Sequence, residues 1–424
     1  MHRVSSLLPL LLLFLDISKS DATLTLKFVH AIWRHGDRSP SSTFPTDKGN
    51  NESTWPQGWG ELTQEGMRQH YALGKLLRQR YDGFLSRAYS QYEIYVRSTS
   101  YNRTIMSAMS NMAGLYEPEG DQVWNKDIKW QPIPIHSIPR EDDPMLWMDK
   151  ECPNEAKMYA KVKKLPEVKK IEQEYGDLLK FLWDKTGLPG NIELDGMWRI
   201  FDPLNCEMKN EHTWPDWMNE TIWADIVKLY DLSAMYYYYT EEIQRLRGGL
   251  LLGDILSRMQ NRSEGTLDAR QKMQIYSAHD TTLAGLLANL GALPEHAPGY
   301  AAAILVELLQ SEDNHYFVEV YYRNDTNSTF SPVEVSECPR PCTLLKFGQR
   351  SRLRIPKDWY KECGLQPWYY AKPQTYLVVI GLMLAMLVVL LAIIAIYAVI
   401  QIKRRHERYI GRQLIPTDYA DEDN

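Results

Sequence analysis

The feature that most constrains this chain is a stretch without charged residues, from Leu377 to Ile400, near its C-terminal end. As an α-helix, roughly 24 residues at about 1.5 Å each span about 36 Å, which crosses a bilayer with some tilt. Lys403-Arg404-Arg405 follows at once, and clusters of basic residues stay on the cytoplasmic side of a membrane. The sequence therefore predicts a membrane helix over 377–400, a cytoplasmic tail over 401–424 and a type I, single-pass topology.

The N-terminal end has the pattern of a secretory signal peptide. His2-Arg3 precedes an apolar run from Leu7 to Leu15, and small residues follow that run. A basic start, about 7 to 15 apolar residues and a small-residue cleavage site are typical of such signals, more than of a buried helix. We therefore predict a signal peptide over 1–20, cleaved near Ser20 or Ala22.

In the secretory pathway, sequons are sites of N-glycosylation and cysteines form disulfides. We expect glycans on the sequons that begin at Asn51, Asn219, Asn261, Asn324 and Asn327. The chain has 5 cysteines, Cys152, Cys206, Cys338, Cys342 and Cys363. Because their number is odd, at least one thiol stays unpaired in an oxidising compartment. A zinc site on these cysteines is disfavoured, since no histidines lie near them at ligand spacing.

The chain as a whole has the composition of a folded globular protein. With 44% hydrophobic and 24% charged residues, it is neither disordered nor collagen-like. A formal net charge of −6 argues against a nucleic-acid partner. Hydrophobic cores stop growing beyond about 250 to 300 residues, so the length alone predicts two lobes.

Charged residues follow three predicted strands where each strand ends. The strand Leu24–Trp33 runs into Arg34-His35-Gly36-Asp37-Arg38, Tyr92–Val96 runs into Arg97, and Met273–Ala278 runs into His279-Asp280. The segments after the second and third strands have apolar residues at helical spacing. Ligands of open α/β sheets bind beyond the carboxyl ends of the strands. We therefore expect one site to contain Arg34, His35, Arg38, Arg97, His279 and Asp280.

The residue types at this site are suited to phosphate chemistry. A guanidinium group bonds two oxygens of one phosphate at once. His35, kept neutral by adjacent cations, can attack phosphorus and carry it as a phosphohistidine. Asp280 can protonate the leaving oxygen, which requires acidic conditions or a nearby dianion because a carboxyl titrates near about 3.9. Since arginines stabilise the transferred phosphoryl group, we expect neither a metal nor another cofactor.

These segments resemble the histidine acid phosphatases of the lysosomal and prostatic type. The similar strings are Arg34–Pro40, Tyr95–Thr99, Ser277–Thr282, Trp55–Gly58, Leu62–Gly66, Trp130–His136 and Pro356–Trp359. The resemblance implies hydrolysis of small phosphate monoesters, with His35 as nucleophile and Asp280 as proton donor. It further implies that Arg34, Arg38 and Arg97 bind phosphate, with His279 as a further phosphate contact.

The resemblance also implies an architecture. A doubly wound, mixed α/β sheet lobe like that of phosphoglycerate mutases would comprise 21–124 and 246–368, with a smaller helical lobe inserted over 125–245. The implied disulfides are Cys152–Cys363 and Cys338–Cys342, although four cysteines allow three connectivities. Cys206 would be the odd thiol, because Tyr300–Leu305 lacks the cysteine that commonly pairs with it in the family. A homodimer is expected, in the lysosomal or endosomal lumen or at the cell surface.

A second departure from the family is the sequon at Asn102, where relatives often have Asp. A glycan there would obstruct the site, so we expect Asn102 to be unmodified.

Alternative functions are disfavoured by particular residues. A metal phosphohydrolase built on His35, Asp37 and His279-Asp280 conflicts with the nearby arginines, which repel a divalent cation. Phosphoglycerate mutases share the Arg-His-Gly core but not secretion. A membrane-displayed ectodomain that binds phosphorylated ligands without turnover is the third alternative, and the presence of both nucleophile and acid speaks against it.

Overall fold

A computed structural model describes residues 24–190, 193–365 and 373–413. The predicted signal peptide over 1–20 and the end of the predicted tail over 414–424 lie outside these residues. The chain forms two compact units, divided after Cys363.

The first unit is built on a six-stranded sheet in the order β2-β3-β1-β4-β5-β6. Its strands are β1 (Thr25–Arg34), β2 (Ile94–Ser98), β3 (Met273–Ala278), β4 (Ala303–Gln310), β5 (Tyr316–Arg323) and β6 (Ser331–Pro332). β1, β2 and β3 are parallel to one another, whereas β4, β5 and β6 are antiparallel to their neighbours. This confirms the predicted mixed α/β sheet. The second strand was predicted over 92–96, but it begins at Ile94 and continues to Ser98, so Arg97 lies inside the strand.

Helices follow each of the three parallel strands. In chain order they are α1 (Gln64–Arg80), α2 (Asn102–Leu115), α3 (Pro153–Val162), α4 (Pro166–Glu174), α5 (Gly176–Thr186), α6 (Trp198–Lys209), α7 (Glu220–Tyr236), α8 (Glu241–Ser263), α9 (Asp280–Leu290), α10 (Leu344–Ser351), α11 (Trp359–Glu362) and α12 (Pro373–Gln413). Gly291, the C-cap of α9, has a φ of 71°, the left-handed conformation in which a glycine carries no steric penalty.

β1 is buried on both of its faces, as its continuous apolar sequence predicts. Phe28 and Ile32 pack with α8 and α9 on one side of the sheet. Val29, Ala31 and Trp33 pack with α1 and α2 on the other side. The alternation follows from the period of two in a strand. The sheet is therefore covered by helices on both faces. The carboxyl ends of its strands are left uncovered by these helices and can form a site.

The segment between α2 and α8 has an apolar cluster of its own. The cluster includes Leu182, Met197, Ile200 and Leu229, which are all fully buried. Trp214, Trp217 and Trp223 pack against it. That this segment folds as a separate lobe, over 125–245, stays a prediction.

Two disulfides hold the first unit. Cys152–Cys363 joins the start of α3 to the end of α11, and Cys338–Cys342 closes a short loop. Cys206 is a buried free thiol. The sequon asparagines Asn51, Asn102, Asn219, Asn261 and Asn327 are exposed, and Asn324 is half-buried. Glycosylation at these positions remains a prediction.

The second unit consists of α12. Among the described residues, Tyr376–Ile410 is the helical stretch that is long and apolar enough to cross a membrane, with 35 residues. It contains the predicted span over 377–400 and continues into the basic residues that follow. The helix is compatible with membrane anchoring.

Candidate active site

Parallel pairing places the ends of β1 and β3 side by side. Arg34 lies opposite Ala278 in the register, and the backbone N–H of His35 donates to the Ala278 carbonyl at 3.0 Å. The next residue on β3 is His279, so the two imidazoles meet with ring centroids 5.6 Å apart. The two strand ends that the sequence singled out therefore converge at one edge of the sheet.

The turn after His35 requires glycine. A Cβ on Gly36 would lie 2.4 Å from the carbonyl oxygen of Gly66 in the first turn of α1. The backbone N–H of Gly36 donates to Ser107 Oγ of α2 at 3.1 Å. This close approach holds the His35 backbone between the strand and two helices.

The His35 ring is oriented by its own backbone. Its Nδ1 lies 2.8 Å from the carbonyl oxygen of Gly36, and a carbonyl only accepts, so Nδ1 carries the hydrogen. Nε2 is then left with its lone pair. Burial, and then the positive charges of Arg103, Arg34 and Arg38, hold the pKa of His35 well below its usual range. The imidazole is therefore neutral even in acid, with the lone pair of Nε2 unprotonated.

Two of the predicted arginines are adjacent to His35 and each is paired with a carboxylate. Arg34 makes an ion pair with Asp280 at 3.1 Å and donates to the Pro298 carbonyl at 2.6 Å. Arg38 forms a bidentate pair with Asp202 of α6, with contacts of 2.6 and 3.2 Å. These contacts hold the guanidinium groups of both arginines in place.

Arg97 is not part of this group, contrary to the prediction. Because it lies inside β2, its side chain extends to Asp143, with a contact of 2.6 Å, and it does not line the cavity around His35. Asp143 is 1% exposed, so Arg97 neutralises a buried carboxylate. Arg97 is therefore removed from the predicted phosphate site.

Arg103, in the first turn of α2, takes the place predicted for Arg97. It lines the cavity with His35 and Arg38, and it donates to the Gly60 carbonyl at 3.3 Å. Burial, and then the positive charge of Arg38, lower its pKa to about 10. No carboxylate lies within ion-pair distance of Arg103 in the part of the chain that the structure describes. It is a cation that an added anion would stabilise.

His279 is held by hydroxyl groups of the segment between β2 and α2. Its Nε2 lies 3.0 Å from Thr99 Oγ1, and Thr99 in turn bonds to Thr104 Oγ1 at 2.9 Å. Burial, and then the positive charge of Arg103, lower the pKa of His279 to about 3. This ring is thus neutral too.

Asp280 begins α9 and faces the same centre. Burial raises the pKa of its carboxyl, but Arg34 and then His279 lower it by more, and the net pKa is below the usual value. In the unliganded protein Asp280 is therefore an anion, and it needs a change in its surroundings before it can hold a proton.

His35, Arg38, Arg103, His279 and Asp280 form one end of a cavity of about 520 Å³, and Arg34 is held against it by its ion pair with Asp280. Its other walls are aromatic and acidic, and they include Trp147, Asp149, Tyr159, Trp198, Tyr230 and Tyr237. His70 of α1 is buried beneath the site and bonds to the Arg34 carbonyl at 3.0 Å. Within residues 24–190, 193–365 and 373–413, no group of three or more possible ligands is placed to hold a metal ion.

Arg103 and Asp202 are the residues that the sequence analysis missed. Arg103 follows the end of β2 in the first turn of a helix, which is the position where polar residues were sought after the other strands. Asp202 gives no such signal, because it lies on a helix 164 positions away from Arg38.

Comparisons with known proteins agree with this geometry. The family description "Histidine phosphatase superfamily (branch 2)" matches residues 25–323. Prostatic acid phosphatase of Homo sapiens is 40% identical over 359 residues, which cover 84% of this chain and 92% of that protein. Lysosomal acid phosphatase of Xenopus laevis is 37% identical over 371 residues, which cover 86% and 84%. The phytase of Citrobacter braakii superimposes with a TM-score of 0.62 at 17% identity, over 80% of this chain and 99% of the phytase, and so shares the fold.

Proposed function

Because the chain belongs to branch 2 of the histidine phosphatase superfamily, we propose that this acid phosphatase hydrolyses small phosphate monoesters through a phosphohistidine on His35. The observation that carries the proposal is a set of buried, unused donors around a neutral imidazole. The Nε–H groups of Arg34 and Arg38 are buried without an acceptor, as is that of Arg103. Unsatisfied buried donors are costly, and a phosphate has the oxygens to accept from them.

The first chemical step forms a bond between His35 Nε2 and phosphorus, while the bond from phosphorus to the leaving oxygen breaks. The three guanidinium groups stabilise the charge on the transferred group, which is where most of the catalysis of such transfers originates. Asp280 donates a proton to the leaving oxygen. In the second step water attacks phosphorus, Asp280 takes up the proton of that water, and the nitrogen–phosphorus bond breaks to release inorganic phosphate.

The ion pair between Arg34 and Asp280 explains how Asp280 obtains its proton. Arg34 holds the pKa of Asp280 down in the unliganded protein. When Arg34 bonds to a phosphate, its charge is shared with the ligand and the anion also raises the pKa of Asp280. Below about pH 6 a phosphate monoester carries one proton of its own, which Asp280 can receive. An acidic working pH follows, since His35 stays neutral there.

The test is hydrolysis of p-nitrophenyl phosphate at about pH 5 by the detergent-solubilised chain. We expect His35→Ala to abolish activity, and acid quench during turnover to leave phosphate on the wild-type chain but not on the variant. Asp280→Asn should slow alkyl phosphates far more than nitrophenyl phosphate, whose leaving group scarcely needs a proton. Wild-type activity in His35→Ala would refute the nucleophile assignment, and equal losses in Asp280→Asn would refute the proton donor.

Binding of phosphorylated ligands without turnover is not favoured, because a nucleophile and a proton donor both face the cavity. Chelators should leave activity unchanged if the arginines do the work of a metal.

We also propose a homodimer formed through the surface beside β2. Large apolar side chains are exposed there, namely Tyr95, Val123, Trp124, Ile128, Trp130 and Ile138. β2 is the edge of the sheet, and the His136 segment runs along it, with the Tyr95 and His136 rings stacked at 4.5 Å. Exposed apolar patches of this kind mark contacts with other proteins. The resemblance names a second copy of the chain as the partner.

For the location we propose a type I membrane protein of the lysosome, the endosome or the cell surface. The apolar helix α12 and the lysosomal relatives support this assignment. Imaging of the tagged chain distinguishes the compartments.

A further inference from the structure

The far walls of the cavity carry a different charge from the reaction centre. Apart from Asp202 and Asp280, which pair with Arg38 and Arg34, the lining carboxylates are Asp149, Asp195, Asp231 and Glu295. The lining arginines are Arg38 and Arg103, and both act electrostatically on His35. The positive charge of the cavity is thus concentrated at the phosphate end and the negative charge at the other walls.

Two of these four carboxylates form ion pairs and two do not. Asp195 pairs with Lys163 at 2.8 Å, and Asp231 pairs with His296 at 2.7 Å. Asp149 and Glu295 are exposed, and within the described residues neither has an ion pair. The cavity walls therefore carry more negative than positive charge, and this charge faces a bound substrate.

Asp149 is the carboxylate that connects the wall to the reaction centre. Its pKa is raised, first because the cavity walls displace water from it and then through the charge of Asp280, while Arg247 and Arg103 act in the opposite direction without cancelling the rise. Asp149 also contributes to the raised pKa of Tyr237, whose ring lies 4.8 Å from that of Tyr159. Asp149 lines the same cavity as His35, Tyr159 and Tyr237.

The cation behind this wall is already neutralised. Arg247 stacks on the Tyr237 ring at 3.7 Å, and its guanidinium is paired with Glu155 at 3.1 Å. It does not line the cavity. The surface that meets the alcohol part of a substrate is consequently built from aromatic rings and a carboxylate, which together favour an organic cation.

We propose that the cavity wall formed by Asp149, Tyr159 and Tyr237 selects substrates by the charge of the alcohol group that is esterified to phosphate. Phosphate monoesters of amino alcohols are favoured, and esters that carry a carboxylate or a second phosphate are disfavoured. The physical reason is that Asp149 and the rings attract an ammonium group, and Asp149 repels an anion, at short range. This inference rests on the proposed phosphatase function and specifies its substrate class.

The test is a charge series of small substrates of similar size: 2-aminoethyl phosphate, ethyl phosphate and phosphoglycolate. The full chain in detergent is assayed at about pH 6, where Asp149 is more fully ionised than at lower pH. For each protein, kcat/KM of the cationic and of the anionic substrate is divided by that of ethyl phosphate. Comparing these ratios between variants cancels the intrinsic reactivity of the leaving groups.

In Asp149→Asn we expect the ratio for 2-aminoethyl phosphate to fall about three- to tenfold and the ratio for phosphoglycolate to rise by a similar factor. Asp313→Asn is the matched control, since Asp313 is an exposed carboxylate in the β4–β5 hairpin, at the opposite end of the sheet. It should leave both ratios unchanged. Thermal unfolding of both variants shows that they remain folded.

Ratios in Asp149→Asn that equal those of the wild type would overturn the inference, as would a wild-type preference for phosphoglycolate that this substitution does not alter. Such a result leaves the proposed function intact, because hydrolysis of p-nitrophenyl phosphate would still depend on His35. Retained activity in His35→Ala, in contrast, refutes the proposed function and not the charge selectivity.

Discussion

Arg97 and Arg103 are close in the chain but act in different places, because β2 ends and α2 begins between them. Arg97 is inside the strand and neutralises the buried Asp143, whereas Arg103 starts the helix and faces His35. An arginine bound to a buried carboxylate is already satisfied. An arginine with a lowered pKa and no carboxylate is available to an anion.

Replacing these two arginines separates the two roles. We expect Arg103→Ala to lower kcat/KM for p-nitrophenyl phosphate by about 10² to 10³, the loss typical of one transition-state donor. Arg97→Ala should destabilise the fold by about 3 to 5 kcal/mol, because it leaves Asp143 buried and unpaired, with a loss of kcat/KM below about tenfold. Steady-state kinetics and chemical denaturation measure both. A larger kinetic loss in the folded fraction of Arg97→Ala would restore Arg97 to the phosphate site.

Glu207 is a buried carboxyl group that the mechanism does not use. It is fully buried, and burial, followed by the hydrogen bond and the charge of the neighbouring Asp47, raises its pKa to about 9. A raised pKa stabilises the folded chain below the unfolded value of about 4.3, and this stability is lost as the pH rises toward 9.

We expect Glu207→Gln to gain stability relative to the wild type between pH 5 and pH 8. The free energy of unfolding of the wild type should fall relative to the variant by up to about 1.4 kcal/mol per pH unit. Denaturation at a series of pH values measures the difference, and parallel pH profiles would contradict the raised pKa.

At the scale of elements, the contact between α1 and α2 determines where Arg103 lies. The two helices touch through glycines, since a Cβ on Gly74 would lie 2.1 Å from the Asn111 carbonyl oxygen and one on Gly114 would lie 2.2 Å from that of Tyr71. Thr63, the N-cap of α1, also donates to Asp37 at 2.6 Å, next to the nucleophile. The two helices thus connect the nucleophile turn to the third arginine.

A methyl group at this contact should therefore disturb both stability and catalysis. Gly74→Ala must push the helices apart, and we expect a loss of about 1 to 3 kcal/mol in the free energy of unfolding together with a lower kcat. Gly176→Ala is the matched control, because no atom lies within 4 Å of a Cβ at the start of α5. It should be neutral or slightly stabilising. Equal stability of the two variants would contradict the close helix contact.

At the scale of the whole molecule, the surface beside β2 leaves apolar side chains uncovered. Parallel β3 pairs with one side of β2 and the His136 segment bridges to its other side, while Trp124 and Trp130, in the chain before His136, are exposed. Burying such a surface between two copies releases water from it and stabilises the pair.

A charge in this patch should separate the subunits. We expect Trp130→Glu to shift the detergent-solubilised chain from dimer to monomer in sedimentation velocity, because Trp130 is exposed among the apolar residues of the patch. Leu353→Glu changes a side chain that is 81% exposed elsewhere on the surface and serves as the control. If Trp130→Glu sediments like the wild type, the surface beside β2 is not the dimer contact.

Much of this protein could be predicted from local sequence patterns. The apolar pattern of each parallel strand is visible in the sequence of that strand alone. Residues directly after a strand, such as His35 and Asp280, must emerge at the sheet edge. The membrane helix is equally local, because its length and lack of charge suffice. The third arginine could not be assigned this way, since a shift of two residues in the end of β2 decides which side chain faces the site.

Only the tertiary structure brought Asp202 to Arg38 and Asp149 to the aromatic wall. Asp202 lies 164 positions from Arg38, and Asp149 is far along the chain from Tyr237 and Asp280, so sequence spacing does not reveal these contacts. Their charges act through space, over distances that folding alone determines. For that reason the sequence could indicate phosphate chemistry at the strand ends, while the choice of arginines and the charge of the cavity beyond them were decided by packing.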